Sequence, residues 1–144
     1  MGKAVIKIWC DGAYKPSTGQ GGIGIVWTKN GEIIKTYSKG YKVENLTNQI
    51  MEVLAAIVAL NAVKNTVESI EVITDSMYVV GTMTKNWKRK ANIKLWNKLD
   101  EIVNNLNLIL QEPIKFTHTY GHANDEFNNI ADKLADEASK EFIL

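Results

Sequence analysis

The sequence predicts an α/β fold: a five-stranded mixed sheet flanked by helices, in the order βββαβααβα. Three observations carry that expectation. Extended, β-branched runs open the chain and are split by one Asn-Gly pair; a nearly all-apolar helical stretch follows; short apolar strands then alternate with helices of 3.6-residue period. Strands 1–3 are expected to form an antiparallel meander, with strands 4 and 5 parallel to strand 1.

Residues 4–10 are apolar and β-rich, and Asp11-Gly12 is expected to end that strand. Residues 13–21 read as a loop because they are rich in Gly, Pro, Ser and Thr. Residues 22–28 and 32–38 flank Lys29-Asn30-Gly31. Asn-Gly between two extended runs is a strong hairpin signal, since a type I′ turn needs positive φ at both central residues. Thr47 or Asn48 caps a helix running to about residue 65, whose Ile50, Met51, Val53, Leu54, Ile57, Val58 and Leu60 spread almost all round it, so it is expected to be largely buried. Residues 69–74 form the fourth strand, and Ser76 caps a helix through Tyr78 and Val80. After the lysine-rich stretch 85–94, Ile93, Trp96, Leu99, Ile102, Val103 and Leu106 mark a helix at about 93–106. Pro113 precedes a fifth strand at 114–119, residues 121–127 read as a loop, and 128–142 close the chain as a helix with Ile130, Leu134 and Ala138 inward.

A chain of 144 residues with 45% hydrophobic content suits one domain, residues 1–144, with one sizeable core. No segment approaches the roughly 18 apolar residues of a membrane helix. The N-terminus carries no signal-peptide apolar region, and Ile6 stands where a myristoylation signal wants Ser or Thr. One cysteine, Cys10, permits no internal disulfide and fits a reducing, cytoplasmic setting. Inside an apolar strand it reads as a core residue.

The net charge of +1 says nothing about a polyanionic partner, but its distribution does. Lys85, Lys88, Arg89, Lys90 and Lys94 put five cations into ten residues without an acid. Such a run is as readily a solvated surface as a binding one. Trp87 and Trp96 within and beside it add the aromatic faces that nucleic-acid surfaces use.

Four acids stand out. Asp11 and Asp75 follow the apolar runs of strands 1 and 4, so adjacent parallel strands would place them side by side, where ligand sites of such sheets occur. The helix between strands 3 and 4 is long enough for that crossover. Glu52 is the only charged residue between Asn48 and Val63, one turn into the buried helix. Asp132 lies in the first turns of the last helix. Each has a plainer reading. Asp11-Gly12 can be a turn, Asp75 can favour a helix start, and Glu52 can snorkel. Asp132 shares an amphipathic face with Asp136 and Glu137, and spacing alone does not choose among them. Together the four describe an oxygen-only site for hard divalent cations.

These residues carry a resemblance that covers essentially the whole chain. Asp11-Gly12 with Gly21-Gly22, Thr47-Asn48-Gln49-Ile50-Met51-Glu52, Thr74-Asp75-Ser76-Met77-Tyr78, Gly121-His122-Ala123 and Ala131-Asp132-Lys133-Leu134-Ala135 stand in the order and near the spacing of the type 1 ribonuclease H family. The resemblance implies a ribonuclease H-like fold and an endonuclease that cuts the RNA strand of RNA–DNA hybrids, leaving 5′-phosphate and 3′-hydroxyl ends. It implies Asp11, Glu52, Asp75 and Asp132 as metal ligands and picks Asp132 over Asp136. Two Mg²⁺ ions about 4 Å apart, or Mn²⁺ in their place, would clamp the scissile phosphate. His122 falls on the family's catalytic histidine, with a near-neutral pKa suited to proton transfer or product release; His118, inside the fifth strand, reads as structural.

The resemblance further assigns Asn48 and Gln49, with backbone near Gly12 and Ala13, to the RNA strand, where 2′-hydroxyls distinguish RNA from DNA. Thr47 would meet a DNA phosphate, Asn128 would lie near the hybrid, and Trp87 and Lys88 would serve a shortened basic protrusion. Only 20 residues separate Asp75 from Trp96, and Ser17 and Met77 replace polar family residues. A monomer with modest affinity and strong salt sensitivity is therefore expected. Three other readings stay open: a non-catalytic binding module, another nuclease or integrase of the superfamily, and a domain of a reverse transcriptase. Clustered acids argue against the first, because carboxylates without metal ions repel a polyanion.

Overall fold

In the computed structural model, residues 4–63, 69–120 and 125–140 are described. The elements follow the predicted order: β1 (Val5–Lys15), β2 (Gln20–Lys29), β3 (Glu32–Tyr41), α1 (Asn48–Asn61), β4 (Ser69–Thr74), α2 (Met77–Thr84), α3 (Ile93–Asn107), β5 (Lys115–His118) and α4 (Glu126–Ala138). The sheet order is β3-β2-β1-β4-β5. β1, β2 and β3 pair antiparallel, while β4 is parallel to both β1 and β5. Asn30 and Gly31 take φ of 51° and 89°, as the expected hairpin requires.

The first strand differs from expectation. β1 does not end at Asp11 but stays paired with β2 as far as Lys15↔Gln20, which leaves only residues 16–19 for the turn. Gly12, expected to end the strand, and Gly24 of β2 have another purpose. A Cβ at Gly12 would lie 2.6 Å from the Glu52 amide nitrogen, and one at Gly24 would lie 2.1 Å from the Ala131 carbonyl oxygen. They permit close approach of helices to the sheet, not turns.

Helices cover both faces of the sheet. On one, Ile6, Ile8 and Cys10 of β1 pack with Met51, Val53 and Leu60 of α1 and Trp96, Leu99 and Val103 of α3. On the other, Trp9, Val26 and Ile73 pack against Ala131, with Phe127, Ile130 and Leu134 of α4 around them. Burial on both faces makes β2 buried at every position from Gln20 to Thr28. β3, the edge strand, is exposed along most of its length. Trp96 is fully buried, so it is a core residue and not the stacking surface its place beside the lysines suggested.

Helix starts follow the local chemistry. The Thr47 hydroxyl accepts from the Ile50 amide at 3.1 Å and the Ser76 hydroxyl from the Val79 amide at 3.2 Å, as both caps were expected to do. α4 begins two residues before the predicted position, because the Asp125 carboxylate accepts from the Asn128 amide at 3.0 Å and caps it. The stretches 64–68 and 141–142, expected to hold the ends of the first and last helices, lie outside the described residues.

Candidate active site

Side-chain alternation and strand register assemble the acids. Trp9 of β1 faces α4 and stands opposite Ile73 of the parallel β4. Two residues further along each chain come Asp11 and Asp75, on that same face. Asp11 is opposite Gly24 of β2, and the bare backbone of Gly24 admits Ala131, so the next residue of α4, Asp132, reaches the same edge. Glu52 arrives from the opposite face, because Gly12 lets the first turn of α1 rest on β1. Two glycines thus set how near two helix-borne acids come to Asp11.

Burial is unequal among the four. Asp11 is 4% exposed, Glu52 is half-buried, and Asp75 and Asp132 are exposed. The Asp11 carboxyl is pushed up to about 9 by burial, then by a hydrogen bond with Asp132 and the charges of Asp75 and Asp132, with the Gly12 backbone pulling the other way. Desolvation, and after it the charge of Asp132, also raises Asp75, against its hydrogen bond with Asp11 and the nearby His118. Desolvation raises Glu52 too, opposed by a hydrogen bond from Ser76 and helped by the charge of Asp75. Burial is the leading cause of all three shifts, and neighbouring acids with no cation to balance them add to it. Among the described residues, no group of three or more acid, histidine or cysteine side chains is already drawn close enough to hold a metal ion.

Neighbouring residues refine the site in ways the sequence did not disclose. The Asn48 side-chain amide donates to Glu52 Oε1 at 3.2 Å and orients it. His118 is nearer the acids than a purely structural strand residue: its Nε2–H donates to the Asp75 carbonyl oxygen at 3.2 Å, which fixes the ring tautomer. Lys15 and Lys140 both bind the Asp136 carboxylate and hold it well below the usual carboxylate range, the Lys15 hydrogen bond most of all. Asp136 is thus engaged in ion pairs, while Asp132 bears on Asp11. Cys10 is 1% exposed, with its thiol pushed up by burial and then by Asp11, Asp75 and Glu52, so it is no nucleophile.

The expected substrate residues divide into groups. Thr47, Asn48 and Gln49 are exposed at the start of α1, beside half-buried Gly12 and Ala13, and form one patch next to the acids. Trp87 is 44% exposed and Lys88 is exposed, on the segment between α2 and α3. Asn128 is only 3% exposed, and its Oδ1 finds no hydrogen-bond partner among the described residues. His122 lies outside the described residues.

A mixed sheet in the order β3-β2-β1-β4-β5, with acids from β1, α1, the end of β4 and α4 at one edge, defines a ribonuclease H-like protein. A sequence model of the RNase H family matches residues 3–140. A ribonuclease H of Clostridium botulinum is 37% identical, over 95% of this chain and 97% of that protein. Among solved structures, RNase H1 from the halophilic archaeon Halobacterium salinarum superposes with a TM-score of 0.74 at 26% identity, covering 93% of this chain and 96% of that one. LC11-RNase H1, solved in complex with an RNA/DNA hybrid, gives a TM-score of 0.68 at 25% identity, covering 92% and 98%. The chain belongs to the RNase H family, whose members are endonucleases.

Proposed function

We propose that this protein hydrolyses the RNA strand of RNA–DNA hybrids, leaving 5′-phosphate and 3′-hydroxyl ends. The observation that carries the reading is the buried Asp11, pushed up to about 9 between Asp75 and Asp132 at the carboxyl edge of a family sheet. A carboxylate so placed is destabilised unless a proton or a cation joins it. The donor set is oxygen only, which suits hard divalent cations. Asp11, Glu52, Asp75 and Asp132 would hold two such ions, Mg²⁺ or Mn²⁺, which when bound supply an activated water and charge neutralisation at the phosphate.

The chain's own residues do the rest. Asn48 steers Glu52 toward the shared edge. Asn48 and Gln49, with the backbone of Gly12 and Ala13, meet the 2′-hydroxyls of the RNA strand, and Thr47 meets a DNA phosphate while still capping α1. Trp87 and Lys88 receive the DNA backbone further along. Asn128 serves the hybrid through the first turn of α4, and His122 moves a proton or helps release product. We place the protein in the cytoplasm as a monomer; among the described residues no helix is long and apolar enough to cross a membrane.

The test offers matched RNA–DNA, RNA–RNA and DNA–DNA duplexes with Mg²⁺ or chelator, beside Asp11→Asn. Metal-dependent cutting of the hybrid's RNA strand alone, lost in the variant, is the expected result. Tight hybrid binding without cleavage under any divalent metal overturns the reading in favour of a binding module.

A further inference from the structure

The lysine-rich segment between α2 and α3 has no regular structure, yet it is tied down at several points. Trp87 lies against Gly81, where an added Cβ would come within 2.4 Å of the indole, and its amide approaches the Gly81 carbonyl oxygen at 3.4 Å. Asn86 and Asn92 take left-handed φ of 55° and 59°, which a short polar side chain tolerates. The Asn92 amide and the Trp96 indole N–H both donate to the Tyr78 hydroxyl, at 3.1 and 3.2 Å.

Between these points, Arg89 forks onto Asp100 of α3. Its Nη1 meets Oδ2, and its Nη2 meets Oδ1 at 3.0 Å and the Met83 sulfur at 3.7 Å. The guanidinium also lies 5.3 Å over the Trp96 ring. Lys85, Lys88, Lys90 and Lys94 differ: all are exposed, and among the described residues none has an acid partner. One of the five cations is committed to the protein and four face solvent.

We propose that Arg89 and Asp100 are a positioning pair. They fix the basic segment on α3 so that the lysines and the open face of Trp87 meet the hybrid backbone already ordered, and Arg89 takes no phosphate itself. A partly exposed ion pair adds little to stability. A segment held in place beforehand, however, loses less conformational freedom when the substrate binds. This rests on the hybrid-nuclease reading above, and it assigns the short basic segment a built geometry in place of a lax remnant.

Asp100→Asn separates the alternatives because they differ in sign. If Asp100 is merely one more acid near a polyanion, its removal tightens binding and lowers KM. If it anchors Arg89, its removal raises KM for the hybrid about fivefold at moderate salt, roughly one well-placed phosphate contact, and leaves kcat unchanged. Asp100→Glu, which keeps the pair, stays near the parent. Lys88→Gln lowers the slope of log affinity against log salt by about 1, as a direct phosphate contact would. A KM at or below the parent's in Asp100→Asn, a kcat that falls at saturating hybrid, or an Asp100→Glu no better than Asp100→Asn overturns the proposal. Failure of the parent itself to cut the hybrid would instead sink the functional reading, so the two failures are distinct.

Discussion

Replacing Asp11 with Asn is expected to make the metal-free protein more stable while abolishing its activity. In the metal-free fold the Asp11 carboxyl keeps its proton up to about pH 9, against an ordinary value of 3.8. Folding therefore takes up a proton between those limits. A group whose folded pKa is raised contributes its stability fully below the unfolded pKa and loses it as pH climbs toward the folded one. Each unit of pH is worth about 1.4 kcal/mol, so by pH 7 the parent has lost about 4 kcal/mol from this group, and the loss levels off near pH 9. Asn keeps the side-chain shape and removes the titration; Glu52 and Asp75, also raised, remain in both proteins.

In chelator, Asp11→Asn should melt with the parent near pH 4 and about 10 °C above it at pH 7, taking roughly 3 °C per kcal/mol for a chain of this size. Circular dichroism melts from pH 4 to 9 measure the gap. Saturating Mg²⁺ should raise the parent's melting temperature and leave the variant's nearly unchanged, since a bound ion stabilises only the fold that holds it. A gap that is absent, or that fails to widen with pH, refutes the account of a buried acid awaiting a cation.

Two further substitutions probe how the acids are brought together. Gly24→Ala forces a Cβ to within 2.1 Å of the Ala131 carbonyl oxygen, so α4 must retreat with Asp132. A loss of about 1–3 kcal/mol in urea unfolding is expected, together with a kcat drop that excess Mg²⁺ only partly repairs; an active, parent-like protein would contradict the placement of Asp132. Thr47→Ala removes the cap on the Ile50 amide and should cost about 1 kcal/mol of stability. Thr47→Ser should recover it, and a Ser variant as unstable as the Ala one would deny the cap.

Much of the fold was legible because local chemistry and tertiary structure agree. The Asn30-Gly31 hairpin, the caps at Thr47 and Ser76, and the largely apolar α1 each follow from a few adjacent residues. The misreadings share one cause. Gly12 resembles a turn residue in sequence, whereas in space it is where α1 touches the sheet, as Gly22 and Gly24 are for α4. Trp96 beside the lysines looked like a stacking surface but is a core residue, because the helical face it occupies turns inward. No local signal reveals which elements will pack on a glycine or on a helix face.

By itself, the sequence determined the order of the elements and the family motifs, which reside in residue type and spacing, and through those motifs it proposed four acids. Spacing alone left Asp132 and Asp136 equivalent, since both are acids on one amphipathic helix, and only the family resemblance picked Asp132. The folded chain adds the physical difference between them: Lys15, reaching across from the end of β1, neutralises Asp136, while the backbone gap at Gly24 brings α4 and Asp132 toward Asp11. Likewise, only tertiary structure shows that burial strains Asp11 far more than its exposed neighbours, and that Arg89 is committed to Asp100 while the lysines around it are not. Electrostatic roles depend on distance and dielectric, which sequence spacing does not carry across more than one element.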